Sequence, residues 1–257
     1  MPLKLLLLLT TLATTTLLRP EPARLYLIGD STVKTGSGTG QNGQWGWGSV
    51  LDKHFDTTRM KIHNHAIGGR SSRTFVSEGR WETVLSELHP GDFLLIQFGH
   101  NDSSPVNDTL RARGTIRGIG EETEEIDNLI TKKHEIVHSY GWYLRKYIDE
   151  AKAKGAIPIV CSPIPRNQWE QDRIVRPDDS YPQWAQTVAK SKGAFFIDLY
   201  ELVAAQYDQS TPTQVKQQYF TALDDTHTAL AGAELNAKMV VKGIKSLKKC
   251  GLKKYLR

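Results

Sequence analysis

Cysteine is nearly absent from this chain: Cys161 and Cys250 are the only two in 257 residues. Two thiols can build neither a disulfide scaffold nor a cysteine-based zinc cluster. Cys161 closes the apolar run Ala156-Ile157-Pro158-Ile159-Val160 and reads as a buried core thiol, whereas Cys250 lies in a lysine-rich tail; the sequence leaves a bridge between them open. A strong excess of one charge is also missing. Thirty-three Lys and Arg against 28 Asp and Glu give a formal net charge of +5, which permits an anionic polymer as partner without requiring one. With 39% hydrophobic and 24% charged residues, disordered, collagen-like and coiled-coil readings fall away. No repeat, low-complexity tract or linker divides the chain, and its length suits one well-buried core. The one extended apolar stretch is at the start. Lys4, the run Leu5 to Leu9 and a Thr/Ala/Leu segment to Leu18 read as a secretory signal peptide over residues 1–22. Interrupted by Lys4 and several threonines, it falls short of the roughly 20 apolar residues of a membrane span. The expectation is a secreted, extracellular protein whose residues 23–257 form one domain, monomeric and free of the membrane once the leader is removed.

After the leader, short strand-like runs alternate with helical patterns. Arg24 to Gly29, Lys61 to Ile67, Asp92 to Gly99, Ala156 to Ser162 and Gly193 to Ile197 are five strand candidates. Helix-spaced apolar residues mark Val76 to Leu88, His134 to Lys154, Pro182 to Lys192 and Ala229 to Lys249. Such alternation predicts a parallel sheet with helices on both faces, an α/β/α sandwich. The stretch from Ser103 to Lys133, with its acidic cluster Glu121 to Glu125, predicts a long connection leaving the carboxyl edge of the sheet, where ligands bind in open α/β folds.

Three motifs mislead. Gly38-Thr39-Gly40-Gln41-Asn42-Gly43 fits the dinucleotide fingerprint, but no helix follows it and the preceding strand ends near Gly29, so it reads as a surface loop. His134-Glu135-Ile136-Val137-His138 fits the zinc-peptidase pattern if helical, with both imidazoles on one face and Glu135 as base. Leu144 stands where the extended pattern has its third histidine, and the match reads instead as a charged helix start; no metal and no cofactor are expected. The tail lysines Lys242, Lys245, Lys248, Lys249, Lys253 and Lys254 suit the carboxyl end of a helix and come with no nucleic-acid motif, so no nucleic-acid partner is expected.

Four short blocks carry chemistry. Gly29-Asp30-Ser31-Thr32 ends the first strand, Ala66-Ile67-Gly68-Gly69-Arg70-Ser71 the second, and Phe98-Gly99-His100-Asn101-Asp102 the third. Asp224-Asp225-Thr226-His227 precedes the last helix. Singly each is a helix cap or a turn. Together they set a hydroxyl, a carboxylate three residues before an imidazole, and amide donors along one sheet edge. These are the parts of serine acyl transfer.

The four blocks resemble those of the SGNH (GDSL) hydrolases, and within that superfamily the rhamnogalacturonan acetylesterases (carbohydrate esterase family 12). Supporting stretches are Gly29 to Val33, Asn64 to Thr74, Phe98 to Asp102, Trp169-Glu170, Asp224 to Thr228 and Ala231-Gly232-Ala233-Glu234. The resemblance implies a flavodoxin-like five-stranded parallel sheet in the order 2-1-3-4-5. It implies Ser31 as nucleophile, His227 as base and Asp224 as its partner, with Ser31 and Gly69 amides and the Asn101 side chain as oxyanion hole. The implied activity is removal of O-acetyl groups from an acetylated plant cell-wall polysaccharide, rhamnogalacturonan first and xylan as the alternative. A zinc peptidase and a non-catalytic carbohydrate binder are the remote readings. Arg70, Arg73 and Arg166 follow strand ends and are the candidate contacts to uronate carboxylates. Two departures stand out: Asp225 where the family pattern leads one to expect histidine, which could compete for His227, and Gly68 in place of a usual alanine.

Overall fold

Among the described residues there are nine strands, five of them from the apolar runs: β1 (Ala23–Gly29), β2 (Met60–Asn64), β3 (Phe93–Gln97), β4 (Thr123–Asp127), β5 (His134–His138), β6 (Ile157–Cys161), β7 (Trp169–Glu170), β8 (Arg173–Ile174) and β9 (Phe195–Ile197). The helices are α1 (Ser72–Ser77), α2 (Arg80–Glu87), α3 (Tyr140–Ala153), α4 (Tyr181–Ser191), α5 (Leu199–Tyr207), α6 (Pro212–Tyr219) and α7 (Leu230–Ser246). The computed structural model describes residues 21–257; the signal-peptide segment, apart from Glu21 and Pro22, lies outside the described residues. No helix among the described residues is long and apolar enough to cross a membrane.

Five parallel strands form the main sheet in the order β2-β1-β3-β6-β9, the order expected for the five sheet strands counted in sequence. The central strands are apolar on both faces because both faces are covered. Leu25 and Leu27 of β1 face a layer containing Val203 of α5 and Val240 and Ile244 of α7. Their neighbours Tyr26 and Ile28 face Trp81 of α2 and Tyr147 and Ile148 of α3. The period of two along β1 thus divides the core into two layers, one on each side of the sheet. Cys161 and Cys250 are both buried in the first layer as free thiols.

Three expectations change. The helix expected over Val76 to Leu88 is broken into α1 and α2 at Gly79, whose φ of 73° is left-handed. The helix expected from His134 starts only at Tyr140. Ser139 caps it by accepting from the Trp142 N–H, and His134–His138 instead pairs antiparallel with β4. Asn128 closes that hairpin, its side-chain oxygen accepting from the Ile130 and Thr131 amides. The acidic cluster is therefore partly strand, and the long connection carries structure of its own. Helices α5 and α6 were not expected from the apolar spacing. α6 nevertheless carries a local signal, Pro212 in its first turn and a Thr211–Gln214 capping box.

Candidate active site

β1 ends at Gly29 because the chain must turn beneath a neighbour there. A Cβ at Gly29 would lie 2.5 Å from the Gln97 carbonyl oxygen and 2.6 Å from Val33 Cγ2. The turn that follows is stitched by the Val33 and Lys34 amides, both donating to the Asp30 carbonyl at 3.1 Å. It presents Ser31 at the carboxyl edge of the sheet, on the wall of a cleft of about 590 Å³. The Ser31 hydroxyl lies 2.9 Å from His227 Nε2, and His227 Nδ1 lies 2.8 Å from Asp224 Oδ2. With the Nδ1–H donating to Asp224, Nε2 is free to accept the serine proton.

Asp224 is placed by its own turn. Its Oδ1 accepts from the Thr226 and His227 amides, both at 2.7 Å. Partial burial pushes this carboxyl up, but the His227 amide and ring and the Thr226 amide outweigh it and hold it below the usual carboxylate range. The histidine turn is pinned from outside as well: the Trp45 amide donates to the Thr228 carbonyl and the Thr228 hydroxyl to the Trp45 carbonyl, each at 2.8 Å. Asp225, the departure from the family pattern, turns away from His227. It accepts from the Asn167 amide and from Lys216 Nζ, each at 2.9 Å.

Gly69 and Asn101 line the same cleft as Ser31 and His227. Gly69 has φ 80°, a left-handed conformation that favours glycine. Arg113 Nη1 donates to the Gly69 carbonyl at 2.9 Å, and its Nε donates to the Ser104 hydroxyl at 3.1 Å. Asn101 is buried and donates one amide hydrogen to the Arg70 carbonyl at 2.8 Å. That bond orients the side chain and leaves its second N–H for the cleft. Gly68 tolerates the alanine usual at its position, since a Cβ there would meet Ser31 Cβ at an ordinary 3.5 Å.

Two buried carboxylates lie beneath these groups. Asp30 Oδ1 accepts from the Thr32 amide at 2.8 Å and from the Thr32 hydroxyl at 2.7 Å. His100 Nδ1 is 3.6 Å from Asp30 Oδ2, a Coulombic contact too long for a hydrogen bond. Burial raises the Asp30 carboxyl, yet His100 and the Thr32 donors overcome it and hold it low. Asp102 accepts from the Ser72 amide and hydroxyl, while its Oδ2 is buried without a partner. Burial dominates there and pushes its pKa up to about 7. A chain of donors also ends on Asp30: the Trp47 indole donates to Gln97 Oε1 at 2.9 Å, Gln97 Nε2 donates to the Thr32 hydroxyl at 2.6 Å, and that hydroxyl donates to Asp30.

The structure thus brings Ser31, Asp224, His227, Gly69, Asn101 and Arg166 to one cleft. Arg73 does not reach it. It is buried, donating to Glu135 Oε2 at 2.6 Å and to the Val106 and Gly114 carbonyls, where it fastens β5 and the long connection to α1. Arg70 pairs with Glu78 at 2.9 Å and contributes its carbonyl to Asn101 rather than its side chain to the cleft. Nor is the zinc-like motif formed. Residues i and i+4 of a strand stand about 13 Å apart; His134 pairs with Asp127, Glu135 with Arg73, and His138 stacks on Trp142 at 3.7 Å. Sequence reasoning missed Arg111 and Arg113, which line the cleft from the long connection. The available signal was the basic spacing in Arg111-Ala112-Arg113 next to a region already expected at the sheet edge.

Residues 27–235 match the family described as GDSL-like lipase/acylhydrolase. The chain is 34% identical over 227 residues to the Bacillus subtilis protein YesY, "Probable rhamnogalacturonan acetylesterase", covering 87% of this chain and 93% of that one. It is 28% identical to the rhamnogalacturonan acetylesterase of Emericella nidulans, covering 86% and 84%. Among solved structures, the acetylxylan esterase Axe2 of Geobacillus stearothermophilus superposes with a TM-score of 0.58 at 20% identity, covering 88% of this chain and 95% of that one.

Proposed function

The chain belongs to the GDSL-like lipase/acylhydrolase family and is a carboxylic ester hydrolase; on that premise we propose that it is a secreted serine esterase removing O-acetyl groups from pectic rhamnogalacturonan. The observation that carries the chemistry is the unbroken line Asp224–His227–Ser31, with 2.8 Å and 2.9 Å links, opening into one cleft. Support for the substrate comes from the two rhamnogalacturonan acetylesterase relatives and from the arginines lining the cleft.

In this reading Ser31 Oγ attacks the acetyl carbonyl as His227 Nε2 takes its proton, and Asp224 stabilises the imidazolium that forms. Negative charge developing on the carbonyl oxygen meets the Ser31 and Gly69 amides and the free Asn101 N–H. The tetrahedral intermediate collapses, and His227 gives its proton to the departing sugar oxygen, which leaves as a hydroxyl. Water then attacks acetyl-Ser31 with His227 again as base, releasing acetate.

Acetate release from acetylated rhamnogalacturonan is expected to exceed that from acetylated xylan by at least tenfold in kcat/KM, and to vanish in Ser31→Ala. An organophosphate should label Ser31 alone. Faster release from xylan would move the substrate to the alternative; acetate release undiminished in Ser31→Ala would overturn the mechanism. For secretion, the check is mature protein in the medium with residues 1–22 removed.

A further inference from the structure

Arginines on this protein are paired almost everywhere except at the cleft. Outside it, every described arginine but Arg59 and the terminal Arg257 lies within 4.0 Å of a carboxylate. Within that distance Arg111, Arg113, Arg117 and Arg166 have no carboxylate among the described residues. Arg113 is already engaged by Gly69 and Ser104. The other three are not held by acids, and they fall in a row.

Arg111 lines the Ser31 cleft, Arg166 lines both that cleft and a second cavity of about 250 Å³, and Arg117 lines the second cavity. His100 and Ser103 are shared as well, so the two cavities adjoin along these residues. No carboxylate lines the second cavity, and the first has only Asp224, which is committed to His227. The side chains are also partly preset. Arg166 Nη1 donates to the Thr226 hydroxyl at 2.6 Å, the one hydrogen bond its guanidinium makes among the described residues. The Arg117 guanidinium sits 5.2 Å from the Trp184 ring centroid and 6.0 Å from that of Tyr181, cation–π contacts that hold it beside the second cavity without neutralising its charge. Pro163, Ile164, Pro182 and Tyr200 supply apolar walls suited to the C–H face of a sugar ring.

Resting on the pectic reading above, we propose that Arg111, Arg166 and Arg117 form a carboxylate-binding rail that takes a uronate-bearing oligosaccharide across both cavities, with the second cavity holding a sugar beyond the acetylated one. A planar guanidinium matches a carboxylate with two parallel hydrogen bonds, so the rail selects charged glycans over neutral ones of the same shape. It also makes binding weaken with added salt.

The test is calorimetric binding to Ser31→Ala protein, using oligogalacturonate and the same oligomer reduced at its carboxyl groups. The charged oligomer is expected to bind at least about tenfold tighter, the value of one charge-assisted hydrogen bond. Arg117→Gln and Arg166→Gln should each remove most of that difference, and Arg117→Lys should restore only part of it. Arg59→Gln is the control: Arg59 lies over Tyr255 at the other end of the sheet, where its carbonyl meets the start of β1, and its loss should change nothing. Equal affinity for charged and reduced oligomers, or an Arg117→Gln loss matched by Arg59→Gln, would overturn the rail. Failure of the pectic reading looks different: wild-type enzyme deacetylating only xylan while still binding oligogalacturonate through Arg117 leaves the rail standing and removes the substrate assignment.

Discussion

The two sides of the cleft are built in different ways. On the histidine side, Asp224, Thr226 and His227 hold one another within a four-residue turn. On the oxyanion side, support comes from far along the chain: Asn101 leans on Arg70, Asp102 on Ser72, and Gly69 on Arg113. The first arrangement is largely local, with Trp45 reaching in to hold Thr228, and in the proposed mechanism it directs protons; the second is assembled by tertiary packing and there directs dipoles. Substitutions on the histidine side should therefore strike the rate and spare the fold. Those on the oxyanion side should divide their effect between rate and stability.

Asp224→Asn offers the severest break, with kcat expected to fall by about 10⁴ because the imidazole loses the acceptor that sets its tautomer. Asp225→Asn, one residue away and bonded to Asn167 and Lys216, should leave kcat close to wild type. Steady-state acetate release on both variants checks this, and a larger loss at Asp225 would assign the wrong carboxylate. Across the cleft, Asn101→Ala should lower kcat by about 10²–10³ with KM little altered, the signature of a donor used only in the transition state. Its melting temperature should fall as well, since the Arg70 carbonyl loses its donor.

Arg113→Gln comes next, at about tenfold in kcat, from loss of a charged hydrogen bond to the Gly69 carbonyl. Arg113→Lys should recover part of it, and a loss confined to KM would contradict this positioning role. Asp102→Asn sharpens the comparison by moving stability with little effect on rate. Burial pushes the folded carboxyl up to about 7 from its ordinary 3.8, so both states are protonated below about pH 4. As pH rises from about 4 to about 7 the unfolded chain ionises while the folded one keeps its proton. Stability falls over that window by at most about 4 kcal/mol and then levels. Melting curves from pH 4 to 8 should show that slope in wild type and a flatter one in Asp102→Asn; identical slopes would refute it.

This contrast also explains what could be read from sequence. The five parallel strands were legible from their apolar runs, whereas the strand order and the grouping of Ser31, Asp224 and His227 followed from the resemblance of the four blocks to the family. Arg73 was misplaced because proximity to a strand end does not reveal that Glu135 waits 62 residues away. The His134 segment was misread because an apolar spacing of three and four overlaps both periods when the true helix cap, Ser139, lies inside the run. Arg111 and Arg117 became visible only once the connection from Ser103 was folded against the sheet edge.

The bonded line from Trp47 through Gln97 and Thr32 to Asp30 has a consequence for refolding. Its links join positions 50 and 65 residues apart, and every donor points the same way, toward the acid beneath the serine turn. The turn bearing Ser31 therefore gains its final anchor only after β1, β3 and the segment around Trp47 have met, a contact between distant parts of the chain that forms slowly. Trp47 is buried at the far end of that line, so the share of the emission that Trp47→Phe removes, among six tryptophans, reports when the serine turn is locked. Recovered esterase activity should track that optical change rather than the earlier return of helical signal.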